Sequence, residues 1–368
     1  MTTKLALDSI EPAIAQLWEE EARRSGAPRI EFMTLVALVS DIALLGRANK
    51  VIEEVVRLHP SRTIVATWSD RLDETITAEV GLHRVGKDGA ACGDAIVLDA
   101  AGVSRDWLPD SVDRLALADL PVCLWWVGDL PDFDHLLDRM LSCADLVVVN
   151  SEEMDLRDLR RLSEIVGRAR DRYALSDLTW VRLRPIQELV ARFFDDESSR
   201  DRLRSLRRVE IEFSPRERDV DVASTQAGLF FGWMANALGL RPESVRWVKG
   251  DGWAEATLEH VVARFARRPR PGLPAGAIVR IALDCGDAMF EIERQDDPCV
   301  FRWSRRVPGT PMPPQSLRIV DQSESALLAQ SLDVPRRDLL LEVSLQIGSR
   351  IVQPVAPRLS APPSGTTP

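Results

Sequence analysis

The feature that most constrains this fold is a strand–helix–strand pattern spanning residues 30–68. Residues 30–39 (IEFMTLVALV) and 63–68 (TIVATW) are largely apolar, β-capable runs. The segment between them carries one apolar helical stripe, made up of Ile42, Leu45, Ile52, Val55 and Val56. A helical crossover between two strands places them parallel in one sheet, with a right-handed connection. The pattern therefore predicts an α/β unit with a largely parallel sheet.

Further apolar runs extend this unit to about residue 205. Strands are predicted at residues 76–82, 95–99, 121–127 and 146–150. The last two runs are apolar almost throughout, which is typical of strands covered on both faces. Residues 178–183 are interpreted as a short connection, and Pro185 as the start of a helix. With an amphipathic helix before residue 30, this gives an N-terminal helix (1–29) and an α/β domain (30–205).

The second half of the chain has a different pattern. A strand at 209–213 and a helix at 223–240 are followed by short β-like runs. These runs are residues 245–248, 255–258, 278–284, 288–293, 300–303, 317–320 and 339–345. Many short strands with few helices indicate an α+β domain rich in antiparallel strands, assigned to residues 206–350. The proline-rich tail, residues 351–368, is predicted to be disordered.

Composition excludes several classes of function. The formal net charge of −10 disfavours nucleic-acid binding, because phosphates attract basic surfaces. No apolar run approaches the roughly 18–20 residues that span a bilayer, so we expect no membrane partner and a cytoplasmic location. The five cysteines and four histidines lack ligand spacing, and the phosphate-loop and nucleophile-elbow motifs do not occur. We therefore expect no metal, cofactor or catalytic residue.

Two sequence features stand above this background. The first is His59-Pro60-Ser61-Arg62, where a helix ends and a strand begins. His59 suits a helix C-terminus and Arg62 could serve the structure alone, or could be exposed for binding an anion or a partner. The second is tryptophan, with ten residues against one tyrosine. Strand alternation sends Trp125 and Trp126 to opposite sides, so one can fill the core while the other reaches a surface.

An ordered set of short motifs resembles the glucose-6-phosphate dehydrogenase assembly protein family (OpcA). The set comprises HPSRTIV (59–65), ACGDAIVL (91–98), LPVCLWW (120–126), DLVVVNS (145–151) and DLTWVRL (177–183). The resemblance implies a non-catalytic protein that binds glucose-6-phosphate dehydrogenase, promotes its oligomeric assembly and raises its activity. The expected partner-binding or site-shaping residues are His59, Arg62, Trp125, Trp126, Trp180 and Arg182.

Two other functions stay open from the sequence. The chain could be an enzyme or sensor for a phosphosugar, with Arg62 and Arg182 holding the phosphate at the carboxyl ends of parallel strands. It could also be an interaction module for a different partner. Ligand binding by the isolated chain would favour the first of these alternatives.

Overall fold

The chain forms two β-sheets with helices packed around and between them. The structure, a computed structural model, describes residues 5–26, 28–69, 75–85, 89–130, 134–154, 156–168, 172–215, 223–241, 245–310, 312–333 and 337–351. The predicted tail lies outside these residues from 352 onward. The predicted fold class is confirmed, because the first sheet is mostly parallel and the second mostly antiparallel.

The first sheet has seven strands in the order β3-β4-β2-β1-β5-β6-β7. Their bounds are β1 (Thr34–Val39), β2 (Arg62–Ser69), β3 (Ile76–Val85), β4 (Ala90–Ala101), β5 (Val122–Val127), β6 (Leu146–Val149) and β7 (Ala174–Asp177). The predicted crossover is confirmed, since β1 pairs in parallel with β2. Only β3, which forms a hairpin with β4, runs antiparallel to its neighbour among the described strands.

Helices cover both faces of this sheet. The helices of the first half of the chain are α1 (Ile10–Ser25), α2 (Leu45–Val55), α3 (Leu108–Leu115), α4 (Asp134–Ser142), α5 (Leu156–Arg168), α6 (Leu178–Arg192) and α7 (Glu197–Leu203), and the last of these lies beside the second sheet. Successive residues of a strand point to opposite faces, so Leu35 packs with α2 on one face and Val36 packs with α1 on the other. The central strands are consequently apolar on both sides, as their sequence predicts.

The second sheet has eight strands in the order β15-β14-β13-β12-β8-β11-β10-β9. Their bounds are β8 (Arg208–Phe213), β9 (Val245–Lys249), β10 (Trp253–Leu258), β11 (Val261–Arg267), β12 (Ile278–Asp284), β13 (Met289–Arg294), β14 (Val300–Arg306) and β15 (Gln315–Arg318). Its inner face packs on helix α8 (Thr225–Ala237), where the ring of Phe231 lies 6.1 Å from that of Phe265. Its outer face carries charged side chains in alternation with the buried ones.

Two last helices, α9 (Glu324–Asp333) and α10 (Leu339–Ile351), return to the first half of the chain. The predicted strand at 339–345 is wrong, because these residues begin α10. Helix α10 crosses α8 so closely that a Cβ on Gly232 would lie 2.3 Å from the carbonyl oxygen of Ser344. Helix α9 joins α2 in the core beneath the first sheet. The assignment of separate domains to 30–205 and 206–350 therefore stays a prediction.

Helix α6 links the two sheets. The expected connection at 178–183 and the helix start at Pro185 are both wrong, because α6 begins at Leu178 and contains Pro185. The side chain of Asp177 caps the helix by accepting a hydrogen bond from the backbone N–H of Thr179, which fixes its start. At the other end, the ring of Phe193 stacks on Trp303 of β14 at 4.5 Å. The cores of the two halves are thus continuous.

Candidate functional site

Arg62, at the start of β2, is the centre of a buried ionic network at the amino edge of the first sheet. Its Nε donates to Asp94 at 2.8 Å, and its Nη1 donates to Glu11 at 2.5 Å and to the carbonyl oxygen of Leu115 at 2.7 Å. Arg62 is 2% exposed and Asp94 is fully buried. The alternative that Arg62 is exposed for binding an anion or a partner is therefore wrong in this structure. Its contacts fit the alternative in which it serves the structure alone.

Asp94, on β4, collects charged and polar donors from segments far apart in the sequence. Trp18 of α1 donates its Nε1–H to Asp94 at 2.6 Å, and Arg29 donates at 2.6 Å. The Asp94 backbone N–H also donates to Glu31 at 3.0 Å. Burial, together with the charge of Asp94, raises the pKa of Glu31. The network therefore fastens helix α1 and the segment before β1 to the sheet.

Close backbone contact explains why two of the sequence motifs occur together. A Cβ on Gly93 would lie 2.2 Å from the carbonyl oxygen of Ser61, which only glycine avoids without a shift of the backbone. Ser61 is buried and donates its hydroxyl to the carbonyl of His59 at 2.6 Å. The HPSR and CGD motifs are thus two sides of one packed contact between β2 and β4.

His59 lies beyond the end of α2, as predicted, and its backbone N–H donates to Val55 at 2.9 Å. Its Nε2 lies 3.5 Å from a carboxylate oxygen of Asp333 at the end of α9, and its side chain is 15% exposed. His59 therefore connects the HPSR turn to the C-terminal helices and leaves little surface for a partner.

Trp125 and Trp126 of β5 point to opposite faces, as strand alternation predicts. The expectation that one of them reaches a surface is wrong, because both are at most 1% exposed. Helices cover both faces of the sheet, so neither side of β5 meets solvent. Trp126 donates to the carbonyl of Asp129 at 3.0 Å, whereas the Trp125 Nε1–H has no acceptor among the described residues. Both can shape the interior, and neither can contact a partner directly in this conformation.

The DLTWVRL motif lies at the carboxyl edge of the same sheet. Asp177 is 1% exposed and accepts from the hydroxyl of Ser151 at 2.5 Å and from the backbone N–H of Thr179 at 3.0 Å. Burial raises the pKa of Asp177. Trp180 is 3% exposed and donates to Asp338 at 2.9 Å. These contacts fix the turn from β7 into α6 and attach it to the start of α10.

Arg62 and Arg182 do not come together. Arg62 begins β2 at the amino edge of the sheet, whereas Arg182 lies on α6, which starts beyond the carboxyl end of β7. Four strand spacings separate β2 from β7, roughly 19 Å at the usual distance between strands. Arg182 is half-buried and makes no ion pair within the described part of the chain. One phosphate cannot be held by both arginines.

The turn after β1 is shaped by its own side chains rather than by a phosphate-binding loop. Asp41 caps the helical turn that follows by accepting from the backbone N–H of Ala43 at 2.9 Å. Its negative charge at this helix start disfavours an anion there. A Cβ on Gly128, after β5, would lie 2.3 Å from the hydroxyl of Ser40, so Ser40 packs directly against the backbone at the end of β5.

Burial raises the pKa of Cys123 and of Cys285 to about 12, which disfavours a reactive thiolate. Across the described ranges, His, Cys, Asp and Glu side chains form no group of three or more that could hold a metal ion. No helix of this part of the chain is both long and apolar enough to cross a bilayer.

Partners of Arg62 and Asp94 that lie on other elements could not be found from the motifs. Glu11 and Trp18 lie on α1 and Arg29 follows that helix, and all three reach Arg62 or Asp94 only after α1 packs on β3 and β4. The one available signal is the placement of Ile14 and Trp18 on a single face of α1, which indicates docking but not ion pairing.

The fold and the site define a protein with two sheets, in which the residues of the sequence motifs make contacts that hold strands and helices together. Two family models match the chain, and both are described as domains of a "Glucose-6-phosphate dehydrogenase subunit". The model of the N-terminal domain matches residues 52–164, and the model of the C-terminal domain matches residues 173–345. The chain belongs to this OpcA family, as the motif resemblance predicts.

Curated relatives agree with this assignment. The "Putative OxPP cycle protein OpcA" of Nostoc punctiforme is 26% identical over 244 residues, which cover 65% of this chain and 50% of the relative. The protein of the same name from Synechocystis is 25% identical over 207 residues, 54% of this chain and 42% of the relative. The chain thus aligns with half or less of the length of these relatives.

Two solved structures match most of the chain at low similarity. The UDP-N-acetylglucosamine 3-dehydrogenase GnnA from Acidithiobacillus ferrooxidans is 15% identical with a TM-score of 0.49, and the match covers 88% of this chain and 96% of that one. An NAD-binding oxidoreductase from Klebsiella pneumoniae is 10% identical with a TM-score of 0.48, covering 87% and 94%.

Proposed function

We propose that this protein binds glucose-6-phosphate dehydrogenase, promotes its oligomeric assembly and raises its activity without catalysing a reaction itself. The observation that carries the proposal is the ordered match to both domains of the OpcA family across residues 52–345. The names of the curated relatives, which place them in the oxidative pentose phosphate cycle, support the same function.

The structure supports this proposal through the role of the motif residues. Arg62, Asp94 and Asp177 are fully engaged in contacts that hold strands and helices together. Such residues preserve a shape, and a protein that acts by association needs a stable complementary surface. An activator needs only to bind the active assembly of its partner more tightly than the inactive form. A difference of about 1.4 kcal/mol between these two binding free energies shifts the equilibrium between the two forms tenfold.

Because Trp125, Trp126 and Trp180 are buried, a contact with a partner requires another tryptophan. Trp107 is 58% exposed at the end of the turn before α3, and Val103 beside it in that turn is also exposed. Arg139 of α4 pairs with Asp110 of α3 at 2.5 Å, close in the chain to this turn. Exposed aromatic residues are enriched among the residues that contribute most to binding at protein interfaces. We therefore propose Trp107 as a contact residue.

The direct test mixes the purified chain with the dehydrogenase from the same organism. We expect co-elution, a larger mass in sedimentation and a higher rate of NADP reduction. Separate elution together with an unchanged rate would overturn the proposal. Trp107→Ala should weaken the complex at least tenfold, whereas the exposed Val320→Ala on the second half should not. If complex formation persists at full affinity in Trp107→Ala, only the placement of the interface is wrong.

A further inference from the structure

The segment just before β1, residues 28–32, is attached to the first sheet by polar contacts rather than by apolar burial. Ile30 and Phe32 are 48% and 58% exposed. The side chain of Glu31, which lies between them in the chain, is only 5% exposed, because it turns inward to the backbone of β4. The backbone N–H of Phe32 donates to the carbonyl of Pro60 at 2.9 Å. Since the large apolar side chains of the segment stay in water, its position depends on these polar contacts.

Two enclosed carboxylates share one arginine at this place. Arg29 donates from its Nε to Glu31 at 2.9 Å and from its Nη2 to Asp94 at 2.6 Å. Because Nε and Nη2 belong to one planar guanidinium group, the two carboxylates lie side by side. The backbone N–H of Asp94 donates to the other carboxylate oxygen of Glu31 at 3.0 Å. Like charges held this close, away from water, repel each other more strongly than they would at the surface.

The ionic cluster around these two residues has one negative charge in excess. Its third carboxylate is that of Glu11 on α1, which pairs with Arg62, and Arg62 also donates to Asp94. Within the described part of the chain, three carboxylates of this cluster thus face the two guanidinium groups of Arg29 and Arg62. Water can solvate Glu11, whose side chain is 54% exposed, whereas Glu31 and Asp94 are enclosed. One proton would make the cluster neutral.

The carboxyl group of Glu31 is the one placed to take up this proton. Asp94 accepts hydrogen bonds from two arginines, whereas Arg29 is the one charged donor to Glu31 among the described residues. Burial, followed by the charge of Asp94, raises the pKa of Glu31. His83 of β3 also lies within range of the charge of Asp94, but burial lowers the pKa of His83 and keeps its ring neutral at neutral pH. The imidazole therefore does not supply the missing positive charge.

A second buried carboxylate, that of Glu21 on α1, has the opposite balance of charge. It accepts from Arg24 at 2.8 Å and from Arg84 at 2.6 Å, so one carboxylate faces two guanidinium groups. The hydrogen bonds from Arg24 and Arg84 lower the pKa of Glu21 to about 2. Acidification therefore acts on the Glu21 and Glu31 clusters in opposite directions and in separate pH ranges.

We propose that Glu31 forms a pH-sensitive latch, in which its carboxyl group takes up one proton and thereby tightens the attachment of residues 28–32 to the first sheet. The proton removes the repulsion between Glu31 and Asp94 and leaves the contacts of Asp94 with both arginines in place. Because the folded state holds this proton more tightly than the unfolded state, the stabilisation is complete below the ordinary glutamate pKa of about 4.3. It is lost as the pH rises through the higher pKa of Glu31 in the folded chain. The latch does not depend on the proposed association with the dehydrogenase.

The direct test is a titration of the full chain, carrying ¹³C-labelled glutamate, followed by NMR of the carboxyl carbons. The signal of Glu31 is assigned by its absence from Glu31→Gln. We expect this signal to titrate with a midpoint above the ordinary glutamate value of about 4.3. A midpoint at or below that value would overturn the proposal, because the folded chain would then hold the charged form at no cost.

Glu31→Gln, which resembles the protonated side chain, tests the tightening itself. At about pH 8 the variant should melt at a higher temperature than the parent chain, and the difference should vanish as the pH falls towards about 4.3. Hydrogen exchange of the amides of residues 29–33, corrected for the intrinsic rate, should be at least threefold slower in the variant at about pH 8.

The matched control is Glu19→Gln, which removes an exposed carboxylate from α1 and should follow the parent chain at every pH. If Glu31→Gln failed to fold, or melted below the parent chain at about pH 8, the charged form of Glu31 would be the stabilising one and the proposal would be wrong. A difference in melting temperature that did not change with pH would also contradict it, because the effect would then come from packing.

Discussion

Both sheets carry an arginine bound to several carboxylates, but the cluster on the first sheet is buried and the cluster on the second sheet is partly exposed to solvent. At the amino edge of the first sheet, Arg62 and Asp94 meet where both are at most 2% exposed. On the outer face of the second sheet, Arg280 bonds to Glu210 at 2.9 Å, to Glu212 at 3.0 Å and to Glu291 at 2.5 Å. There the side chains of Arg280 and Glu210 are 21% and 30% exposed.

Exposure to solvent determines how much each cluster contributes to the free energy of unfolding. A charge enclosed without water depends wholly on its partners, so removing one partner strands the others at a cost of several kcal/mol. A charge on a half-exposed face can turn to water instead, and pairs of that kind typically contribute about 0–1 kcal/mol each. The buried cluster thus fixes how α1 packs on the sheet, whereas the exposed cluster tolerates change.

The largest expected effect is that of Asp94→Asn. The substitution keeps the shape of the side chain but leaves the buried charge of Arg62 with Glu11 as its remaining carboxylate. We expect the free energy of unfolding to fall by about 3–5 kcal/mol. Urea denaturation followed by tryptophan fluorescence measures this change, and a loss below about 1 kcal/mol would contradict the assigned role of burial.

A double-mutant cycle separates the charge from the packing. Arg62→Met with Asp94→Asn removes both charges and replaces the arginine by a side chain of similar length. If the single variants lose stability because a buried charge is left without its partner, the double variant should be more stable than the sum of the two single losses predicts. Strict additivity would show that Arg62 and Asp94 contribute independently.

A smaller effect, dependent on pH, is expected from the buried carboxylate of Glu21 on α1. Hydrogen bonds from Arg24, Arg84 and Ser25 lower the pKa of Glu21 to about 2. Because the folded state holds this proton less tightly than the unfolded state, the stabilisation is present above the ordinary glutamate pKa of about 4.3. It is lost as the pH falls from there through about 2.

Glu21→Gln provides the comparison for this pH effect. The variant should be less stable than the parent chain at neutral pH, and the difference in melting temperature should narrow between about pH 4.3 and pH 2. The exposed Glu20→Gln on the same helix is the matched control and should follow the parent chain at every pH. A constant difference down to pH 2 would assign the effect of Glu21 to packing.

The parallel unit could be predicted from the sequence because its signals are local. The apolar runs at 30–39 and 121–127 predict strands, the second covered on both faces, and β1 (Thr34–Val39) and β5 (Val122–Val127) lie within them. The burial of Arg62 could not be predicted, because its partners Glu11 and Asp94 lie on segments that meet only in the folded chain. A charged motif with several distant partners resembles an exposed binding site when only its neighbours in sequence are visible.

The misread strand at 339–345 has a related cause. LLLEVSL is short and apolar, so strand and helix patterns both fit it. The helical spacing of Leu341, Leu345 and Gly348 appears only when the window extends to Ile351. Gly348 meets the backbone of Gly228, where a Cβ would lie 3.0 Å away. Tertiary packing on α8 therefore determines the helix.

The smallest effect is expected from Arg268→Gln on the open face of the second sheet. Arg268 contacts Glu212 at 2.7 Å and Glu293 at 2.9 Å, but its side chain is 39% exposed. Water can replace both contacts, so the free energy of unfolding should fall by less than about 1 kcal/mol, and by less still at high salt. Urea denaturation at low and high salt, run beside Asp94→Asn, tests whether solvent exposure separates the two clusters. A loss in Arg268→Gln as large as that in Asp94→Asn would mean that the exposed cluster is itself shielded from water, for example by a second protein surface.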